Sequence, residues 1–335
     1  MGATDLVYLQ SKKEASWATD AAATARWMSA DKFRFIPRPV FKMQRYQRGD
    51  YAPAHSATKT SETGEGSIEG DLTFEEAPML FGSAVKGGVA GVLLDTSAYT
   101  YAYPAPLTAS PACDTRIFEM YDGGQCYQGL GMVCKSFMLS GQSGSEAMVR
   151  YSSQWIGKKV EAATVTGALG NRTVEALPAN MMKLYIDALG GTVGTTIKAD
   201  TLISWSINYD SGAHLKQFQT GDTFPSALGY AKPAVTFSLT AEFNATGIAE
   251  VAAFLAGTGR LIRLEGLGSL AGAATAYRTF RSELAVQHLA IDDLYGDRDG
   301  NTTVTLSGAV RYDSGAFANY AKFTIINALA ALADA

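Results

Sequence analysis

The chain has 335 residues, 47% hydrophobic and 18% charged, a composition that suits packed cores, fits about two domains in length and excludes global disorder. Its 28 basic and 32 acidic residues give a net charge of −4, without the basic excess that non-specific duplex binding needs. Glycine, at 34 residues, exceeds the usual ~7% and, with aromatics at 10%, favours turns and strands.

The opening MGATDLVYLQSKKEASW lacks the charged-then-apolar order of a signal peptide. No run of about 18 apolar residues predicts a membrane helix. Residues 1–31 read as an arm or a leading strand, and Lys32–Met43 as a strand. Gly49–Glu65 is polar and aperiodic, which predicts a long exposed loop of the functional or disordered kind. Strict alternation follows. Ile68, Gly70, Leu72 and Phe74 share one face, and Glu69, Asp71, Thr73 and Glu75 the other, as a strand with one wet side requires. Pro78 then suits the first turn of a short apolar helix, and Gly87-Gly88 its stop. The run Ser97–Pro104 reads as a strand with its tyrosines on one face.

A glycine-turned hairpin comes next: Tyr127–Leu139, turn Ser140–Ser145, then Ala147–Val160. Ala162–Asn180 crosses to the second half, where Thr201–Tyr209 is a strand. Val235, Phe237, Leu239, Ala241 and Phe243 alternate with Thr236, Ser238, Thr240 and Glu242, ahead of another short helix stopped by Gly257. A second hairpin is predicted from Ser282–Ile291, turn Asp292–Asn301, and Thr302–Tyr312. Gly70–Gly88 aligns without gaps on Leu239–Gly257, at a shift of 169 residues that sets Phe74 on Phe243, Met79 on Ile248 and Gly88 on Gly257. The expected fold is therefore mainly β: two tandem β-sandwich or barrel domains, each flanked by a short helix. Their bounds are an arm at 1–31, a first domain at 32–165, a linker at 166–182 and a second domain at 183–335.

Catalytic chemistry finds little to work with. Cys113, Cys126 and Cys134 have no zinc-ligand spacing to each other or to His55, His214 and His288, and read as small buried hydrophobes with free thiols in a reducing compartment. Gly266–Gly272 lacks the βαβ setting of a dinucleotide loop. Asp297–Asn301 lacks the ligand series of a calcium loop and reads as a hairpin turn. The sequons at Asn171, Asn244 and Asn301 are chance matches without secretion. No G-x-S-x-G elbow occurs. No catalytic, cofactor or metal residue is expected. The acidic face Glu69, Asp71 and Glu75 has three readings: a solvated strand face, a carboxylate pair for glycoside chemistry, or the lining of a passage for a polyanion.

An ordered series of segments carries a resemblance. It runs from Lys13–Thr19 through the polar loop to Gly66-Ser-Ile-Glu-Gly70 and Tyr99–Pro104, then the hairpin Tyr127–Val160 with Gly141 at its turn and Gly157-Lys-Lys159 near its end. Ser204-Trp-Ser-Ile-Asn208 and Phe224–Leu228 continue it in the second half. In this order the chain resembles the tail tube proteins of long-tailed phages with non-contractile tails. The resemblance implies a structural virion protein, made in the host cytoplasm, whose rings stack into a tube that passes the genome. A tandem copy implies rings of three chains with pseudo-sixfold symmetry. Partners would be further copies of the chain, a tape-measure protein and tail-end proteins, with no membrane. DNA would cross the lumen without specific binding, so Glu69, Asp71, Glu75 and Glu242 are expected on a net-negative inner wall. A carbohydrate-binding or carbohydrate-cleaving β-sandwich is the alternative, resting on the tyrosine run and the acidic strand. A contractile-tail tube or a capsid decoration protein is a third reading. The duplication argues against the first of these and the length against the second.

Overall fold

The alternating segments fold as strands in a computed structural model that describes residues 7–46, 53–167, 169–272, 275–298 and 300–334. The first half supplies β1 (Tyr8–Lys13), β2 (Ala25–Trp27), β3 (Ala30–Gln44), β4 (Ser56–Asp71), α1 (Ala77–Ala84), β5 (Val92–Leu93), β6 (Tyr99–Pro104), β7 (Arg116–Tyr121), β8 (Cys126–Gln142), β9 (Arg150–Gly157) and β10 (Lys159–Ala163). The second half supplies β11 (Met182–Ala188), β12 (Ile197–Lys198), β13 (Leu202–Asp210), β14 (Ala213–Lys216), β15 (Ala227–Tyr230), β16 (Ala234–Glu242), α2 (Ala245–Leu255), β17 (Arg260–Leu270), β18 (Tyr277–Arg298), β19 (Asn301–Val310) and β20 (Ala321–Asn327). The fold is mainly β with two short α-helices among the described residues, and its strand pairs are antiparallel.

Eight strands form one continuous run in the order β3-β4-β9-β8-β13-β16-β19-β18. Each half gives four of them in the same pattern: a strand, its neighbour, a helix, then a hairpin whose second arm returns beside the neighbour. The halves meet where β8 pairs with β13. They meet again where β20 pairs with β6, so the end of the chain is bonded into the first half. Within the leading segment β1 and β2 pair with each other, and β1 also pairs with β7.

Helix α1, all eight of whose residues are buried, packs against β8 of this run and against β6 and β20. Pro78 sits in its first turn, as expected. Phe81 lies at the centre, with ring centroids 5.0 Å from Phe323, 5.5 Å from Phe137 and 5.8 Å from Tyr103. It thereby joins strands from both halves. Phe81→Ala should cost about 3–5 kcal/mol, the usual range for truncating a buried aromatic, read as a shifted midpoint in chemical denaturation. Helix α2 sits differently. Asn244 caps it by accepting N–H bonds from Thr246 and Gly247, but only Gly247, Glu250 and Ala253 are buried. Gly257, with φ at +63°, follows this helix and supplies the expected stop.

Three expectations are corrected. The Gly49–Glu65 loop is largely strand: residues 56–65 belong to β4 and pair with β3, while 49–52 lie outside the described residues. This ribbon is solvated on both faces, so no apolar periodicity marks it. The strand carrying Glu75 ends at Asp71. Its edge is then taken over by other partners, since Leu72 N–H donates to the Val149 carbonyl and Leu177 N–H to the Leu72 carbonyl. The expected turn at Asp292–Asn301 is mostly strand, as β18 runs to Arg298 and β19 starts at Asn301.

Candidate functional site

The outward face of the eight-strand run carries polar residues in register. Inward, Ile68, Tyr151, Phe137, Leu139, Trp205, Ile207, Phe237 and Leu239 are buried. Period two therefore turns the intervening residues to the other side. Across the middle of that side runs a row of four serines in register: Ser140 opposite Ser206, Ser206 opposite Ser238, and Ser238 opposite Ser307. Met138, Asn208 and Thr236 form the row on one side of it. Gln142, Ser204, Thr240 and Thr305 form the row on the other, where the Thr240 and Thr305 hydroxyls bond at 3.0 Å.

The first-half end of the face is charged on both signs. Glu69 lies opposite Lys32 on β3 and Ser152 on β9. Arg150 donates to Asp71 at 3.0 Å and to Asp31 at 2.6 Å. The Asp31 hydrogen bond, with the pull of Asp31, Asp71 and Glu69, holds the Arg150 guanidinium above its ordinary pKa. Arg38 donates to Glu65 at 2.7 Å. On β4, Asp71 thus meets a cation from β9, while Glu69 lies in register with Lys32 of β3.

Three of the four candidate acids share this face: Glu69 and Asp71 on β4, and Glu242 at the end of β16, opposite Thr303. Glu75 does not. It is 5% exposed, beyond the end of β4, and accepts hydrogen bonds from Arg278 Nε at 2.9 Å and from the Glu175 N–H at 2.8 Å. With Glu75 turned inward and Asp71 held by Arg150, the acids do not face each other across an opening as a glycosidase pair would. Tyr101 and Tyr103 do share one face of β6, but they are fully buried and offer no platform to a sugar.

The cysteines are buried and unbonded, and burial pushes the Cys113 thiol up to about 12, far from a reactive thiolate. Gly266–Leu270 lies within β17, which removes the loop that a dinucleotide site needs.

The arms of β3 and β4 leave the sheet beyond Gly64, where β9 stops, and continue as a two-stranded ribbon. Val40, Phe41 and Met43 are each more than half exposed there. At its root the Glu62 N–H donates to the Thr223 carbonyl at 2.9 Å, and the Lys59 ammonium lies 5.2 Å from the Phe224 ring. Alternation does not reveal the serine row or this ribbon. The row gathers residues from four distant segments, and the ribbon has no buried face to pattern.

A family model described as phage tail tube protein matches residues 4–287. No curated protein matches the chain.

Proposed function

The chain belongs to the family of phage tail tube proteins, and on that premise we propose that three copies close into a ring through the eight-strand run. Its role is structural, in the tail tube of a virion. The carrying observation is the run itself, two four-strand sets of the same order joined in one antiparallel sheet. Eight is an even number, so β18 of one copy runs antiparallel to β3 of the next and the alternation continues around the ring. Six such sets, at ~4.8 Å between strands and a tilt of about 40°, enclose on the order of 45–50 Å between backbones. That is wide enough for duplex DNA. The domains are then 32–165 and 183–335, joined by 166–182, and each supplies one set.

The outward face becomes the lumen wall in this proposal. Its central hydroxyls offer DNA no fixed cation, Glu69 and Asp71 offset the cations at its first-half end, and Glu242 repels the phosphates. Rings would stack into the tube of a non-contractile tail, around a tape-measure protein and between tail-end proteins, for passage of the genome. Buried tyrosines and paired acids disfavour the carbohydrate alternative.

Mass measurement of isolated rings tests the stoichiometry. Three chains of 35.5 kDa are expected. Rings of six chains refute the threefold count, and a stable monomer under tube-forming conditions refutes the assembly.

A further inference from the structure

The two edges that must meet in such a ring differ in charge. On one side β3 pairs only with β4 among the described residues, which leaves its outer edge open, with Lys32, Arg34 and Arg38 exposed along it. On the other side β18 pairs with β17 up to Val286 and with β20 up to Leu284. From Gln287 onward it pairs only with β19 among the described residues, so that edge is open too and carries Asp292, Asp293 and Asp297. Neither Lys32 nor Asp293 makes an ion pair among the described residues.

The register between these edges can be read from the junction inside the chain. The 169-residue shift sets Glu69 on Ser238 and Asp71 on Thr240. Glu69 pairs with Lys32 as Ser238 pairs with Ser206, so Lys32 is the counterpart of Ser206. Asp71 pairs with Arg150 and, through it, with Ser140, as Thr240 pairs with Thr305 and, through it, with Asp293. Asp293 is therefore the counterpart of Ser140. Ser140 and Ser206 lie directly opposite each other where β8 meets β13. Transferred to the outer junction, that pairing sets Asp293 of one copy opposite Lys32 of the next. The same steps set Ala290 opposite Arg34, as Met138 is opposite Asn208.

Resting on the ring assembly proposed above, we infer that the ring is closed by the β18 edge of one copy docking on the β3 edge of the next, in the register fixed by an Asp293–Lys32 ion pair. The physical reason for a charge pair here is the missing tether. The inner junction is held in register by the continuous chain and manages with two serines. The outer one joins separate copies, and a one-residue slip would turn every side chain to the wrong face. Opposite charges penalise that slip and steer the encounter. The extra residues on β18, one each between His288 and Ala290, Ile291 and Asp293, and Leu294 and Gly296, coil this edge. The commitment is therefore to the facing residues rather than to an unbroken ladder.

Two variant sets test this in the full chain. Lys32→Glu and Asp293→Lys should each raise the critical concentration for assembly about tenfold or more, because like charges then repeat at every junction, and the double exchange should restore it. A double exchange that assembles no better than the single variants overturns the pair. In the second set, Ala290→Cys with Arg34→Cys should yield, on oxidation, covalently closed rings on a non-reducing gel, since facing Cα atoms lie within disulfide reach. The native cysteines are buried and give no background. Ala290→Cys with Arg38→Cys, out of register, should not crosslink. Rings that form but fail to crosslink, or that crosslink equally through position 38, overturn the junction and leave the tube assembly standing. An unsubstituted chain that forms no rings overturns both.

Discussion

A chain whose ribbon is cut back, with residues 40–61 replaced by Asn-Gly between Pro39 and Glu62, should fold and close into rings but grow no tubes. The ribbon adds nothing to the core: Val40, Phe41 and Met43 are each more than half exposed, and beyond Gly64 its two strands bond mainly to each other. A solitary two-stranded ribbon is marginal in water. Open edges and exposed apolar side chains on such a ribbon are a liability unless something covers them. The next ring is the cover that the tube geometry offers, because the ribbon leaves the end of the sheet opposite the Ser143–Val149 turn, and so runs along the strands rather than around the ring. Fully burying three such side chains contributes up to about 5–9 kcal/mol per copy at the usual scale. Losing that at every copy of a ring should abolish stacking at any practical concentration. Asn-Gly closes a two-residue hairpin without strain, which keeps the root of β3 and β4 paired. The thermal midpoint should therefore move little. Electron microscopy of the purified variant decides the matter: tubes of ordinary length at ordinary concentration would show that the ribbon is not the stacking element.

Much of the fold was legible because burial on one face writes a period into the sequence. Ile68, Phe237 and Leu239 sit inward as alternation requires, and both helices follow their strands where the apolar runs predict. Legibility ended where that cause was absent. Residues 56–63 of β4 are solvated on both faces, so serine and threonine there read as loop. In β18, Asp292, Asp293, Gly296 and Asp297 have turn chemistry. The strand persists through them only because β19 pairs alongside and the irregularities absorb the extra residues. Glu75 kept the count of two but not the strand, since alternation cannot show that the Val149 and Leu177 backbones seize the chain after Asp71. The charge balance of the site was hidden for a related reason. One strand shows its own acids, whereas Lys32 and Arg150, which lie in register beside them, arrive from strands about 40 residues before and 80 after, a juxtaposition that only long-range sheet pairing creates.

The wall itself should respond to charge in a way that no structural role would produce. Ser206→Lys with Ser307→Lys places two cations on the hydroxyl stripe, two strands apart, where neither side chain is part of the core. Tubes should still assemble, because both positions are partly open to solvent and the strand pairing is unchanged. Passage of DNA should be strongly slowed at low salt. Each cation that meets a phosphate releases a counterion, and affinity then falls with salt at a slope near −0.9 per contact on duplex DNA. In a ring of three chains the two substitutions add six cations, repeated along the tube. The DNA would be held at many points at once, and its release at low salt should slow by orders of magnitude and recover steeply as salt rises. Unsubstituted tubes should show a weaker salt dependence, since Arg150 is shared by Asp71 and Asp31, Arg38 bonds Glu65, and Lys32 faces Asp293 in the closed ring, which among the described residues leaves Arg34 as an exposed cation without a carboxylate. Release kinetics measured against ionic strength separate the two behaviours. Fast release from the lysine variant at low salt would mean that this face does not line the channel. Slow release that salt fails to relieve would point to a blocked lumen rather than a charged one. Slow release that salt does relieve requires the serine stripe to meet the phosphates, because the effect scales with cations in contact with DNA and not with those on the outside of the tube.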